Sequence, residues 1–302
     1  MAIIDDIRRR YRGGSMLMRI IYINIAIFVV LRVTVFVATL FNADAAPLLM
    51  QWVEMPGSLW LLLRRPWTLV TYMFSHYDVW HILFNMLWLY WLGRIFMEYF
   101  SPKQLAGLYL LGGLGGAVLY LAACAVLPHA GMSTLIGASA SVIAIVVAIA
   151  VYQPDYKIGL LFLGQVSIKW IAIVTVGFAV LSLDSHNTGG AIAHIGGALV
   201  GMAFALCIKG GRDITRPVNA VVDFVAGLFA GRKISMPKFN RPARKAKPQG
   251  GAQQPPQGRT PSDTVSEEEL DIILGKIKVS GYDALTDEEK DKLFKASRRR
   301  EP

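Results

Sequence analysis

The sequence predicts an all-α, polytopic membrane protein: six transmembrane helices followed by a small soluble helical hairpin. Three observations carry this. Of 302 residues, 54% are hydrophobic and mean hydropathy is +0.44. Only 17% are charged, against about 25% in soluble domains. The apolar runs also fill the first 210 residues, whereas the last 90 or so are polar, basic and rich in Pro, Gly and Gln. A single soluble globule, a disulfide-stapled secreted domain and a wholly disordered chain are excluded.

The expected organisation has four parts. Residues 1–16 form a charged lead-in without a small-residue cleavage pattern, read as cytoplasmic rather than as a removed signal. Residues 17–210 form the membrane core, and 211–262 an interfacial helix with a basic linker. Residues 263–300 form the hairpin. A span needs about 20 mostly apolar residues. Six segments meet or approach this: Leu17–Phe41, His81–Phe100, Gln104–Leu127, Ile136–Tyr152, Ile168–Leu183 and Gly189–Ile208. The run Ile158–Val166, with Gly159 and Gly164, reads as a re-entrant or interfacial piece.

Orientation follows from Lys and Arg. Arg8, Arg9, Arg10 and Arg12, then Lys103, Lys157, Lys169, Lys209 and Arg212 all fall on one side of six spans. That side is expected to be cytoplasmic, with both termini. Arg32, inside span one, is expected to snorkel outward or pair within the bundle. The long loop Asn42–Trp80 contains Trp52, Trp60, Trp67 and Trp80, which suits the outer interface.

After Ile208, Val218, Val221, Val222, Val225 and Phe229 recur at helical spacing. From Lys209 to Ser262, eleven Lys and Arg face only Asp213 and Asp223. No aromatics interleave with the cluster Arg241–Lys247, so anionic lipid is the expected partner and nucleic acid is not. Two capping boxes, Ser266–Glu269 and Thr286–Glu289, open the two hairpin helices. The hairpin lacks a chemical cluster and is expected to serve interaction or regulation.

Polar side chains in hydrocarbon are costly, so they mark function by default. Four stand out: His81 and Asn85 in span two, Ser139 in span four and His194 in span six. All fall within the first two turns of helices running outside to inside, which is about 11 Å of depth. His81 and Asn85 are i and i+4, hence on one helix face. Gly197 and Gly201 form a small-xxx-small face suited to close packing. Packing that face on span four would bring His194 to Ser139.

A serine hydroxyl needs an adjacent base to act as a nucleophile, and neutral imidazole supplies one. Asn85, His81 and the free backbone N–H of Ser139 at a helix start offer donors for an oxyanion. No carboxylate lies at this depth, so a dyad rather than a triad is expected. Ser141, two residues on, points about 200° round the helix. His76, His129 and His186 fall in loops and read as ordinary. No His-Glu-x-x-His is present, and neither a metal nor a cofactor is expected.

At these residues the chain resembles the rhomboid intramembrane serine proteases. The resemblance covers about residues 17–208. It rests on His81-Ile82-Leu83-Phe84-Asn85-Met86, on Gly137-Ala138-Ser139, and on Ala193-His194 with Gly197 and Gly201. Pro66-Trp67 and the stretch Phe74–His81 also resemble the family's first-loop region. The resemblance implies cleavage of transmembrane protein substrates, with Ser139 as nucleophile and His194 as base. His81, Asn85 and the Ser139 N–H would form the oxyanion hole, and span five a movable gate. The active site would open to the non-cytoplasmic side. Two departures are visible: Ala140 stands where the family commonly has Gly, and Thr68 where an Arg often follows the first-loop Trp. The rival readings are a non-proteolytic binder of transmembrane helices and a proton or small-ion transporter using His194 and His81. Oligomeric state is left open.

Overall fold

The computed structural model describes residues 14–41, 46–126, 134–160, 164–183 and 187–229, together with 273, 285–286, 288–290 and 292–293. The chain divides into two units, residues 1–236 and 237–302.

In the first unit, helices form over all six apolar segments: α1 (Met16–Leu40), α5 (Val79–Tyr99), α6 (Pro102–Val126), α7 (Ser139–Tyr152), α8 (Ile168–Leu181) and α9 (Thr188–Lys209). Of these, α1, α6 and α9 are long and apolar enough to cross a membrane, and α7 and α8 are shorter apolar helices. Local chemistry sets the starts. Ser15 accepts from the Met18 N–H, Asp78 from the His81 N–H and Asn187 from the Gly190 N–H, so three helices open on side-chain N-caps.

Helix α7 is the centre of the bundle. Every residue from Ala140 to Ala150 is buried, and the helix packs against α6 and α9 and, less extensively, against α8 and α5. Close approach depends on glycine. A Cβ at Gly197 would overlap the Ala140 carbonyl, and one at Gly201 the Ala144 carbonyl. Gly196 in turn lies over the Gly115 and Gly116 backbone of α6. The glycine face expected from the sequence is therefore the contact between α9 and α7. Ala140 is accommodated by the same device, because its methyl faces Gly116 at a spacing a second methyl would reduce to 2.9 Å.

Two sequence expectations are corrected: the start of span four and the wholly helical fold. Span four was expected from Ile136, but its helix starts at Ser139, because Gly137 sits at φ +119° and breaks the helical path. The run around Ile158–Val166 is an antiparallel hairpin, β1 (Lys157–Leu160) with β2 (Gly164–Ser167), so the first unit is not wholly helical. Gly164, at φ +70°, provides the left-handed residue where β2 begins. The loop before span two is itself structured: α2 (Ala46–Val53), α3 (Leu59–Arg64), α4 (Thr68–Thr71) and a 3₁₀ turn, Tyr72–Phe74. Its anchor is not at Thr68. Arg65 donates to the Gln51 carbonyl at 2.7 Å and lies over the Trp52 ring, which stacks on Trp67 at 5.6 Å. Thr68 donates to the Arg65 carbonyl.

Basic residues gather at the end of α7 away from Ser139. Lys209 donates to the Val151 carbonyl at 2.8 Å, and Lys169 pairs with Asp155 at 2.6 Å. Beyond α9 follows α10 (Arg216–Phe229). Arg32 is exposed, with its guanidinium over the Phe28 ring.

In the second unit the capping box at Thr286 forms. The Thr286 N–H donates to Glu289 Oε2 at 2.8 Å, and the Glu289 N–H to Thr286 Oγ1 at 3.3 Å. Apart from Ile273, the helix expected to open at Ser266 lies outside the described residues, as does the linker after Phe229.

Candidate active site

The first residue of α7 is Ser139, and His194 lies in the second turn of α9. Their helices are locked together close by, with Gly197, one turn on from His194, against the backbone of Ala140, the residue after Ser139. The consequence is direct contact: His194 Nε2 lies 2.7 Å from Ser139 Oγ. Among the described residues no carboxylate is hydrogen-bonded to His194. Ser141 is buried, and its Oγ has no hydrogen-bond partner among the described residues.

His81, Asn85, Ser139 and His194 all line one cavity of about 680 Å³, together with Tyr77, Thr134 and Gly137. The four residues singled out from sequence are thus brought to one site. Asn85 Nδ2 donates to the His81 carbonyl at 2.8 Å. An amide nitrogen carries two hydrogens, so one remains for the cavity. The His81 ring lies against Gly137, where a Cβ would fall 2.6 Å from Nε2. Gly137 is needed there twice over, for its left-handed backbone and for this close approach.

The segment leading into Ser139 is held from the loop before span two. Leu135 and Met55 exchange two backbone hydrogen bonds, each 2.9 Å. The Gly137 N–H donates to the Tyr72 carbonyl at 2.9 Å, and the Ala138 N–H to His76 Nε2 at 3.5 Å. Thr134 Oγ1 donates to the Glu54 carboxylate. That loop is in turn pinned into the bundle: Tyr72 OH donates to the Gly113 carbonyl at 2.6 Å, and Tyr109 OH to the Met73 carbonyl at 2.7 Å.

His76 is the residue that sequence reasoning missed. It is fully buried, with its ring edge-on to His81 at 5.0 Å between centroids. Burial, with the neighbouring His81 adding to it, pushes its pKa down to about 3. Only the unprotonated Nε2 can accept from Ala138. Its five-residue spacing from His81 was the available signal, and it pointed to no known chemistry. A pH dependence follows. An unfolded histidine protonates near pH 6.5, about, so between there and about pH 3 the unfolded chain binds more protons. Stability therefore falls as pH falls through that window. Going from pH 7 to 5, the wild-type protein is expected to lose up to about 2 kcal/mol more than His76→Gln. Thermal unfolding of both proteins at the two pH values checks this, and equal losses would refute it.

A second cavity, about 660 Å³ and strongly apolar, runs between α5 and α8 from Leu160 and Val166 on the hairpin to His194. Trp88, Trp170, Val174 and Phe178 line it. The two cavities share His194 and Asn187 in their linings.

Fold and site together define a helical membrane protein with a serine–imidazole contact recessed in its bundle. The comparisons bear on the family. Residues 63–210 match the Rhomboid domain family model. The chain is 34% identical over 162 residues to RHOMBOID-like protein 12, mitochondrial, of Arabidopsis thaliana, covering 47% of each. It is 30% identical over 133 residues to Presenilin-associated rhomboid-like protein A, mitochondrial, of Danio rerio, covering 43% of this chain and 34% of that protein. The matches span about half or less of these relatives' length. The chain belongs to the rhomboid family and is an integral membrane protein.

Proposed function

We propose that the protein is an intramembrane serine endopeptidase cleaving transmembrane segments of other membrane proteins. The observation that carries this reading is the 2.7 Å contact between His194 Nε2 and Ser139 Oγ. In this mechanism Ser139 Oγ attacks the scissile carbonyl while His194 takes its proton. The oxyanion is received by the Ser139 backbone N–H, the free hydrogen of the Asn85 amide and His81. His194 then passes its proton to the leaving amine, and water releases the acyl group by the same route in reverse.

Depth supports the reading. Helix α7 has 14 residues, so it is about 21 Å long, against a hydrocarbon core of about 30 Å. With its other end held at the interface by Lys209 and Lys169, its N-terminal serine is recessed. The six apolar helices cross the bilayer with both termini cytoplasmic, and the Ser139 end faces the non-cytoplasmic side. The apolar channel beside α8 admits the substrate helix, with α8 as the gate. The second unit serves as a soluble interaction module.

Reconstitution tests this. The full chain in proteoliposomes should cut a single-span reporter within or beside its transmembrane segment, with the site read by mass spectrometry. An intact set of reporters of varied span sequence, in the presence of folded protein, would overturn the proposal.

A further inference from the structure

Helix α10 is amphipathic, but it is docked by its polar face. Asp223 Oδ2 accepts from Lys103 Nζ of α6 at 2.8 Å. Asn219 packs over Gly107, where an added Cβ would meet its amide nitrogen at 2.9 Å. Just upstream, Gln104 donates to Asp213 at 3.1 Å, and Asp213 accepts from the Thr215 N–H at 2.9 Å. The opposite face presents Val221, Val222, Val225 and Leu228, exposed at 62, 42, 44 and 58%. In water an amphipathic helix turns the other way, with its apolar stripe on the protein and its polar face outward. An outward apolar stripe suits apolar surroundings.

We infer that α10 is an interfacial helix whose outer face is sunk in the acyl chains of the leaflet on the basic side of the protein. Its level fits, because it meets α6 in that helix's first two turns, at Lys103 and Gly107. Its flanks fit as well. Lys209, Arg212 and Arg216 precede or open the helix, and Arg232 and Lys233 follow it in sequence. Basic flanks around an apolar face match the interface of an anionic leaflet. A second copy of the chain is a poorer occupant. One face of a 14-residue helix falls well short of the roughly 800 Å² per partner of a stable interface. The polar clamp to α6 sets the roll of the helix, so that the stripe faces lipid.

The test uses the full chain with Cys124 and Cys207 changed to Ser and a single new cysteine, Val225→Cys or Leu228→Cys, carrying an environment-sensitive nitrobenzoxadiazole label. Both positions are exposed, so neither change disturbs the core. The protein is reconstituted at low density in vesicles of phosphatidylcholine with phosphatidylglycerol. Lipids bearing a nitroxide near the headgroup are expected to quench both labels severalfold more than aqueous iodide does. Dominant iodide quenching would overturn the inference by placing the face in water. Protection from both quenchers would overturn it by placing the face against protein.

Discussion

Ser139→Ala and His194→Ala are each expected to abolish reporter cleavage, lowering turnover by about a thousandfold or more, while Ser141→Ala cleaves at the wild-type rate. The size follows from the chemistry. Without its base the hydroxyl is a poor nucleophile, and without the hydroxyl no acyl intermediate forms. Members of a catalytic set act as a unit, so Ser139→Ala/His194→Ala should be no worse than either single variant. The contrast with Ser141 separates site from serine content, since that side chain is buried and lines neither cavity around His194. Melting temperatures measured alongside should stay within a few degrees of wild type for all three single variants. Reporter cleavage followed by gel and mass spectrometry decides the matter, and near-normal turnover in Ser139→Ala would remove the proposed chemistry.

The second large effect is expected far from any reacting atom, at Gly197. A methyl there overlaps the Ala140 carbonyl. Backbone cannot swing aside as a flexible side chain does, so α9 must move away from α7. His194 is one turn from Gly197 on the same helix and moves with it. Overpacking costs about 1–3 kcal/mol, and a displacement of about 1 Å at a reacting pair costs about a hundredfold in rate. Gly197→Ala should therefore fold with lowered stability and lose about a hundredfold in turnover. Gly177→Ala on α8 is the control, because a Cβ there meets nothing within 4 Å. It should be neutral or slightly stabilising, as removing a helix-interior glycine is worth up to about 1 kcal/mol. Equal turnover in Gly197→Ala and wild type would show that the helix contact does not set the Ser139–His194 spacing.

What was legible in the sequence is what repeats or what is costly. The six apolar runs carry a continuous signal, and each became a helix. His81, Asn85, Ser139 and His194 were legible because a polar group in an apolar run must be explained, and their common depth came from counting turns. Gly197 and Gly201 were legible as a four-residue repeat of small side chains. What stayed hidden depends on backbone groups and on partners distant in sequence. The Met55–Leu135 bridge, the Tyr72 carbonyl on Gly137 and His76 on Ala138 join the loop before span two to the segment before Ser139. None of these has a period or a composition of its own. His76 looked ordinary because a loop histidine is ordinary until another segment buries it. The β1–β2 hairpin was hidden for a related reason: a short apolar run with two glycines fits a strand, a re-entrant turn or a helix start equally well. Thr68 drew attention as a missing anchor, whereas the anchor was Arg65, three residues earlier, reaching back to Gln51 and Trp52.

Activity-based labelling tests the central chemistry most directly. The intact protein in lipid is treated with a fluorophosphonate probe, which phosphonylates only a serine made nucleophilic by a neighbouring base. The modified residue is then mapped by mass spectrometry. The expected result is a single adduct on Ser139, lost in His194→Ala and retained in Ser141→Ala. An adduct on Ser141, or no adduct in protein shown to be folded, would contradict the account.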